Sequence, residues 1–291
     1  MMDQTFILRD GRKLGFISIG DGLPLFFFHG TPGSRLALDQ QDALAKIPNV
    51  RLILTDRPGY GLSHPKPGRT LLNWADYIAE LADHLGLQRF AVSGESGGCP
   101  HALACAYALP NRVSCVLALS SPSPATFKDA TKGMSLGNRL GLFLSSAMPW
   151  LLKYMTKAYA NMILKDPESY LNALAKQVDE SDRLLLEQEP FRKAVVRDMT
   201  EAYKQGGEAH YQDARLALTN KNWGFNLEDI QPQVYLWHGE NDQLAPIAMA
   251  RHLEQSIPNC KARYLPDAGH FLTENPTVIK EITSLFQNTQ P

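Results

Sequence analysis

Ser96 stands in Gly94-Glu95-Ser96-Gly97-Gly98, directly after the apolar run Phe90-Ala91-Val92 and before a stretch of helical character. A serine on so tight a strand-to-helix turn is presented to a pocket, where its hydroxyl can attack an electrophilic carbon. The glycines around it fit a strained residue whose neighbours are pressed close, leaving no room for side chains. A serine hydroxyl is a weak nucleophile at neutral pH, so this chemistry needs a base to take its proton and an acid to orient the base. His270, in Asp267-Ala268-Gly269-His270-Phe271, can be the base; Asp242 or Glu240, in Trp237-His238-Gly239-Glu240-Asn241-Asp242, can be the acid. Either carboxylate could orient an imidazole. The oxyanion formed in acyl transfer needs two donors already in place. The Gly97 N–H is one, and His29-Gly30-Thr31-Pro32-Gly33 offers a second at Thr31, because Pro32 has no N–H to give.

Elements that could position these groups are readable from periodicity. Residues 5–8 and 14–19 flank the turn dipeptide Asp10-Gly11 and predict a hairpin. Apolar runs at 24–28, 51–55, 90–93 and 113–119 are those of strands buried on both faces of a parallel sheet. Leu71, Trp74, Ile78, Leu81 and Leu85 recur at steps of three and four, predicting an amphipathic helix closed by Gly86. A second helix follows the serine turn through Ala102, Leu103, Ala106 and Leu109. Strand alternating with helix predicts a doubly wound α/β sheet. The cluster Ser120-Ser121-Pro122-Ser123-Pro124 marks a boundary, after which strand signals stop until 233–237. The segment between reads as helices over 140–164, 181–205 and 211–220, an inserted helical lid. A strand at 261–265 and helices from Pro246 and over 276–286 complete the pattern. Residues 1–121 and 232–291 are therefore expected to form the core domain, and 122–231 the lid.

With 291 residues, 44% of them hydrophobic, the chain can bury a sizeable core. Its 29 basic and 30 acidic residues nearly cancel, which argues against nucleic-acid binding and points to a small-molecule substrate; a monomer or homodimer is expected. Met1-Met2-Asp3-Gln4-Thr5 has neither the basic start nor the apolar run of a signal peptide, and a cytoplasmic location is expected. Residues 140–152 are short for a membrane span and contain Pro149, so no stable membrane insertion is expected. Cys99, Cys105, Cys115 and Cys260 have no metal-ligand spacing and read as small apolar side chains, with no metal implied. His29 and His238, each before a glycine at a strand end, are read as bracing loops, as are Asp56 and Arg57. His64, His84, His101, His210 and His252 are read as surface or packing residues.

Three ordered motifs carry a resemblance: His-Gly-Thr-Pro-Gly-Ser-Arg at 29–35, Asp-Arg-Pro-Gly-Tyr-Gly-Leu-Ser at 56–63 and Gly-Glu-Ser-Gly-Gly at 94–98. The sequence resembles the α/β-hydrolase superfamily, in particular its bacterial serine hydrolases with these motifs. The resemblance implies an α/β-hydrolase fold with a mostly parallel eight-stranded sheet, a helical lid after the sixth strand, and no cofactor. The order Ser96, Asp242, His270 is similar to the superfamily's triad order and favours Asp242 over Glu240 as the acid. It also makes Thr31 and Gly97 the oxyanion donors. Related dehalogenases and epoxide hydrolases use an aspartate nucleophile, so Ser96 favours an acyl-enzyme and cleavage of a small, hydrophobic carboxylic ester. Carbon–carbon bond hydrolysis, lyase chemistry or peptidase activity with the same triad remain alternatives. Peptidase action is the weaker of these, because proline iminopeptidases usually carry glycine where Thr31 stands; a non-catalytic binding protein on this fold is a further alternative. Glu95, beside the nucleophile, and Phe143 and Trp150, in the apolar lid, are the candidate substrate-lining residues.

Overall fold

In the computed structural model, residues 2–38, 42–217, 221 and 223–287 are described. The strands are β1 (Gln4–Ile7), β2 (Lys13–Ile19), β3 (Leu23–Phe28), β4 (Val50–Thr55), β5 (Phe90–Glu95), β6 (Val113–Leu119), β7 (Gln233–Gly239) and β8 (Cys260–Leu265). They form one eight-stranded sheet in the order β1-β2-β4-β3-β5-β6-β7-β8. The hairpin β1-β2 joins β4 antiparallel, and every pairing from β4 to β8 is parallel. This is the α/β-hydrolase arrangement of sheet and flanking helices that the resemblance implies.

The helices are α1 (Leu71–His84), α2 (Cys99–Ala108), α3 (Leu136–Ala147), α4 (Pro149–Lys165), α5 (Pro167–Leu174), α6 (Glu180–Glu187), α7 (Glu189–Ala202), α8 (Glu208–Ala217), α9 (Ile247–Ser256) and α10 (Pro276–Gln287). Strand periodicity sends alternate side chains to opposite layers. Phe26 and Phe28 of β3 pack in one core with Trp74, Ile78 and Leu81 of α1, while Leu25 and Phe27 pack in the other with Val278 and Ile282 of α10. Burial on both faces is why this strand is a continuous apolar run. Thr70 and Asn73 close a reciprocal capping box at the start of α1, and Gly86, at φ +71°, follows its end, as its sequence position predicts.

Between β6 and β7 the described residues form six α-helices, α3 to α8, which divide the helical stretches read from the sequence more finely. Pro149, Pro167 and Pro190 each stand at the first or second position of a helix, so each marks a restart. Proline is tolerated there because its missing N–H would have had no intrahelical partner. The stretch 140–164 is thus split into α3 and α4, and 181–205 into α6 and α7. Residues 218–220, the end of the stretch 211–220, lie outside the described residues. Among the described residues no helix is long and apolar enough to cross a membrane.

Candidate active site

Ser96 follows β5 with φ +50°, a left-handed conformation that serine rarely adopts. The close approach predicted for its neighbours is real. A Cβ on Gly94 would lie 2.5 Å from the Cys99 nitrogen, and one on Gly98 only 2.0 Å from the Phe28 carbonyl oxygen. A Cβ on Gly97 would meet Thr31 Oγ1 at 2.2 Å and Thr31 N at 3.3 Å, while one on Gly30 would sit 3.7 Å from Ser96 Cβ. The loop after β3 therefore lies directly over the serine turn, with the Thr31 and Gly97 backbones side by side.

The loops after β7 and β8 bring Asp242 and His270 together. His270 Nδ1 lies 2.7 Å from Asp242 Oδ2, and both side chains are buried. The other Asp242 oxygen accepts the N–H groups of Leu244 at 2.8 Å and Ala245 at 2.9 Å, which fixes the carboxylate plane. Burial alone would raise the Asp242 pKa, but His270, His238 and these donors hold it below the ordinary value. His270 is the mirror case: burial would lower its pKa, yet Asp242 first, then Asp182 and Glu95, carry it to about 9. Glu240 is exposed, so of the two acids after β7 only Asp242 engages the imidazole. His238 donates from Nε2 to Ala245 O at 2.7 Å, and His29 Nε2 accepts the Arg57 N–H at 3.3 Å, both bracing loops as read from sequence.

Ser96, His270, Gly30 and Thr31 line one cavity of about 430 Å³, whose far wall is built by α3, α4, α5, α7 and α8. Its surface is largely apolar, through side chains such as Leu144, Leu152, Met155 and Phe191, yet Glu95 and Asp198 also face it. Burial raises the Glu95 pKa to about 7, with His270 opposing and Asp182, Asp42 and Glu274 adding to the rise. Of the substrate-lining candidates, Glu95 reaches the cavity and two do not: Phe143 is 57% exposed and Trp150 69% exposed. The phase of α3 turns Gly137, Leu140, Gly141 and Leu144 inward, one helical face at steps of three and four, and Phe143 falls outside it.

Four carboxylates of the inserted helices grip the loops of the core, and sequence reasoning missed all four. Asp182 accepts the N–H groups of His270 at 2.6 Å and Phe271 at 2.9 Å. Asp198 accepts Ser34 N at 2.8 Å, and Glu201 pairs with Arg35 at 2.7 Å, whose guanidinium also holds Asp56. Asp213 pairs with Arg57 at 2.7 Å and closely with Arg69, and these buried cations keep its pKa far below the usual carboxylate range against the effect of burial. Among the described residues no three His, Cys, Asp or Glu side chains are grouped to hold a metal ion.

Sheet order, serine turn and the acid and histidine loops after β7 and β8 define one class, and the family model for the alpha/beta hydrolase fold matches residues 24–275. The chain belongs to that family and is a hydrolase of the α/β type. It is 24% identical over 270 residues to an uncharacterized hydrolase of Bacillus subtilis (strain 168), covering 90% of each chain. To the bifunctional esterase/perhydrolase DCH of Acinetobacter calcoaceticus it is 23% identical over 287 residues, 96% of this chain and 98% of that one. The solved esterase EaEST from Exiguobacterium antarcticum superposes with a TM-score of 0.74 at 20% identity, covering 99% of this chain and 100% of the other.

Proposed function

We propose that this protein is a serine hydrolase cleaving a small, hydrophobic carboxylic ester through an acyl-enzyme intermediate. The observation that carries the reading is the bond between His270 Nδ1 and Asp242 Oδ2 in a cavity that Ser96 also lines. His270 takes the proton of Ser96 as its oxygen attacks the ester carbonyl, and Asp242 holds the tautomer and stabilises the imidazolium. The N–H groups of Thr31 and Gly97 receive the oxyanion. Collapse expels the alcohol, protonated by His270, and water then enters by the same route to release the acid. The inserted helices act as the lid over this site, and Glu95 takes a hydrogen-bond donor of the substrate. The esterase/perhydrolase relative is consistent with ester chemistry.

Short-chain p-nitrophenyl esters offered to the purified protein test the proposal. Turnover should fall on the order of a millionfold in Ser96→Ala and comparably in His270→Ala. Intact mass should show an acyl adduct on Ser96 early in turnover. Equal hydrolysis by wild type and both variants overturns the assignment, and turnover confined to amides or carbon–carbon substrates transfers the same residues to another reaction.

A further inference from the structure

The Arg57 guanidinium is fully buried and spends its two terminal nitrogens on one loop. It donates to the carbonyl oxygen of His29, to that of Gly30 at 2.8 Å, and to Thr31 Oγ1 at 2.9 Å. A trans peptide points its C=O and N–H in opposite directions. The Gly30-Thr31 bond is trans, the cis bond of this loop being Thr31-Pro32, so pinning the Gly30 oxygen also fixes the direction of the Thr31 N–H. That N–H is the donor beside Gly97.

A buried guanidinium needs a counter-charge. Asp56, next in the chain, is committed to Arg35 and to the Leu62 N–H, and the ion partner of Arg57 is Asp213 of α8. Asp213 divides its two oxygens: Oδ2 accepts Arg57 Nε at 2.7 Å and lies 3.4 Å from Thr31 Oγ1, while Oδ1 accepts from Arg69. One oxygen thus serves the loop over the serine, and the other an arginine that also donates to Pro58 O and Ala209 O, away from that loop.

We propose that Asp213, from the helical insertion, is a positioning residue for the oxyanion loop, acting through Arg57, so that chemistry in the core depends on α8 being seated. This rests on the ester-hydrolase reading above. The test uses the full chain with Arg57→Lys, Asp213→Asn and Arg69→Gln. Four quantities are read for each: kcat and KM on p-nitrophenyl butyrate, the rate of Ser96 labelling by a fluorophosphonate, whose phosphoryl oxygen occupies the same donors, and Tm. Arg57→Lys keeps the charge opposite Asp213 but cannot span two carbonyls and a hydroxyl. Arg57→Lys and Asp213→Asn should each lower kcat and the labelling rate about a hundredfold with KM within about threefold. Arg69→Gln should lower Tm while kcat stays within about threefold. Retention of kcat and labelling in Arg57→Lys overturns the proposal, and so does a loss in Arg69→Gln equal to that in Asp213→Asn. Should Asp213→Asn fail to fold, Arg57→Lys decides. Labelling without ester turnover in wild type overturns only the ester reading, and the labelling rates still decide the positioning role; an inert wild-type Ser96 overturns both.

Discussion

The helical insertion has two halves that meet the core differently. Helices α3 and α4 leave Leu136 83%, Trp150 69% and Tyr154 70% exposed, and give the cavity apolar wall from residues such as Leu144 and Leu152. Helices α6 to α8 carry the four carboxylates, each bonded to a core backbone N–H or arginine. Both halves line the cavity, but only the second adds buried carboxylates to the loops that hold His270 and Thr31. The start of α3 is tied to the loop after β7 by neutral bonds, Ser135 N to Gln243 O at 2.7 Å and Asn138 Nδ2 to Leu244 O at 2.8 Å, whereas a buried carboxylate with two donors admits one geometry and costs more to displace.

The strongest way to break this contrast is Asp182→Ala, which leaves the His270 and Phe271 N–H groups without their acceptor. A loss of about 2–6 kcal/mol in urea unfolding is expected, since each of the two donors stranded costs about 1–3 kcal/mol. A loss below about 1 kcal/mol would place the anchor elsewhere. Next in size is a pH effect. As the proposed general base His270 must be neutral to accept a proton, so with its pKa carried to about 9 the kcat/KM of wild type should climb through the alkaline range and level off above it. Glu95, at about 7, is ionised throughout that climb and its charge helps hold the proton on His270. Glu95→Gln should therefore move the midpoint of the profile to lower pH, and a midpoint that stays put or rises removes Glu95 from the electrostatics of the site. The same linkage makes His270 stabilise the fold at pH below about 6.5, a contribution lost as pH rises through about 9. The smallest effects belong to the first half: Phe143→Ser and Trp150→Ser should each change stability by less than about 0.5 kcal/mol and kcat by less than about twofold. A larger cost in either would show that α3 and α4 are anchored as firmly as their neighbours.

Much of this was legible in the sequence because it is local. The serine turn, the strand runs and the loops carrying Asp242 and His270 depend on neighbours within a few residues, and spacing reports them. The face that a helix turns inward is not local, which is why Phe143 and Trp150 were expected at the cavity and are found in solvent. The anchoring acids left partial traces. Asp213 shares a buried stripe with Ala209 and Ala217 at steps of four, and Asp198 one with Met199 and Ala202. A carboxylate on an apolar stripe is an anomaly that asks for a buried cation or donor. Asp182 left none, since an acid in the first turn of α6 is what any helix start favours. Which core group each acid meets is decided only when helix and sheet are brought together.

The divided carboxylate of Asp213 also bears on how freely such a chain can be rebuilt. Insertions after the sixth strand look like exchangeable parts, joined to the core by two crossings of the chain. Here the joint has an electrical polarity. A foreign insertion that covers Arg57 and Arg69 without bringing an acid would bury two unmatched cations, at a cost of several kcal/mol, while one that brings the acid without them would strand an anion. Exchange of the insertion at this junction should therefore cost least where Asp213 and its two arginines travel together.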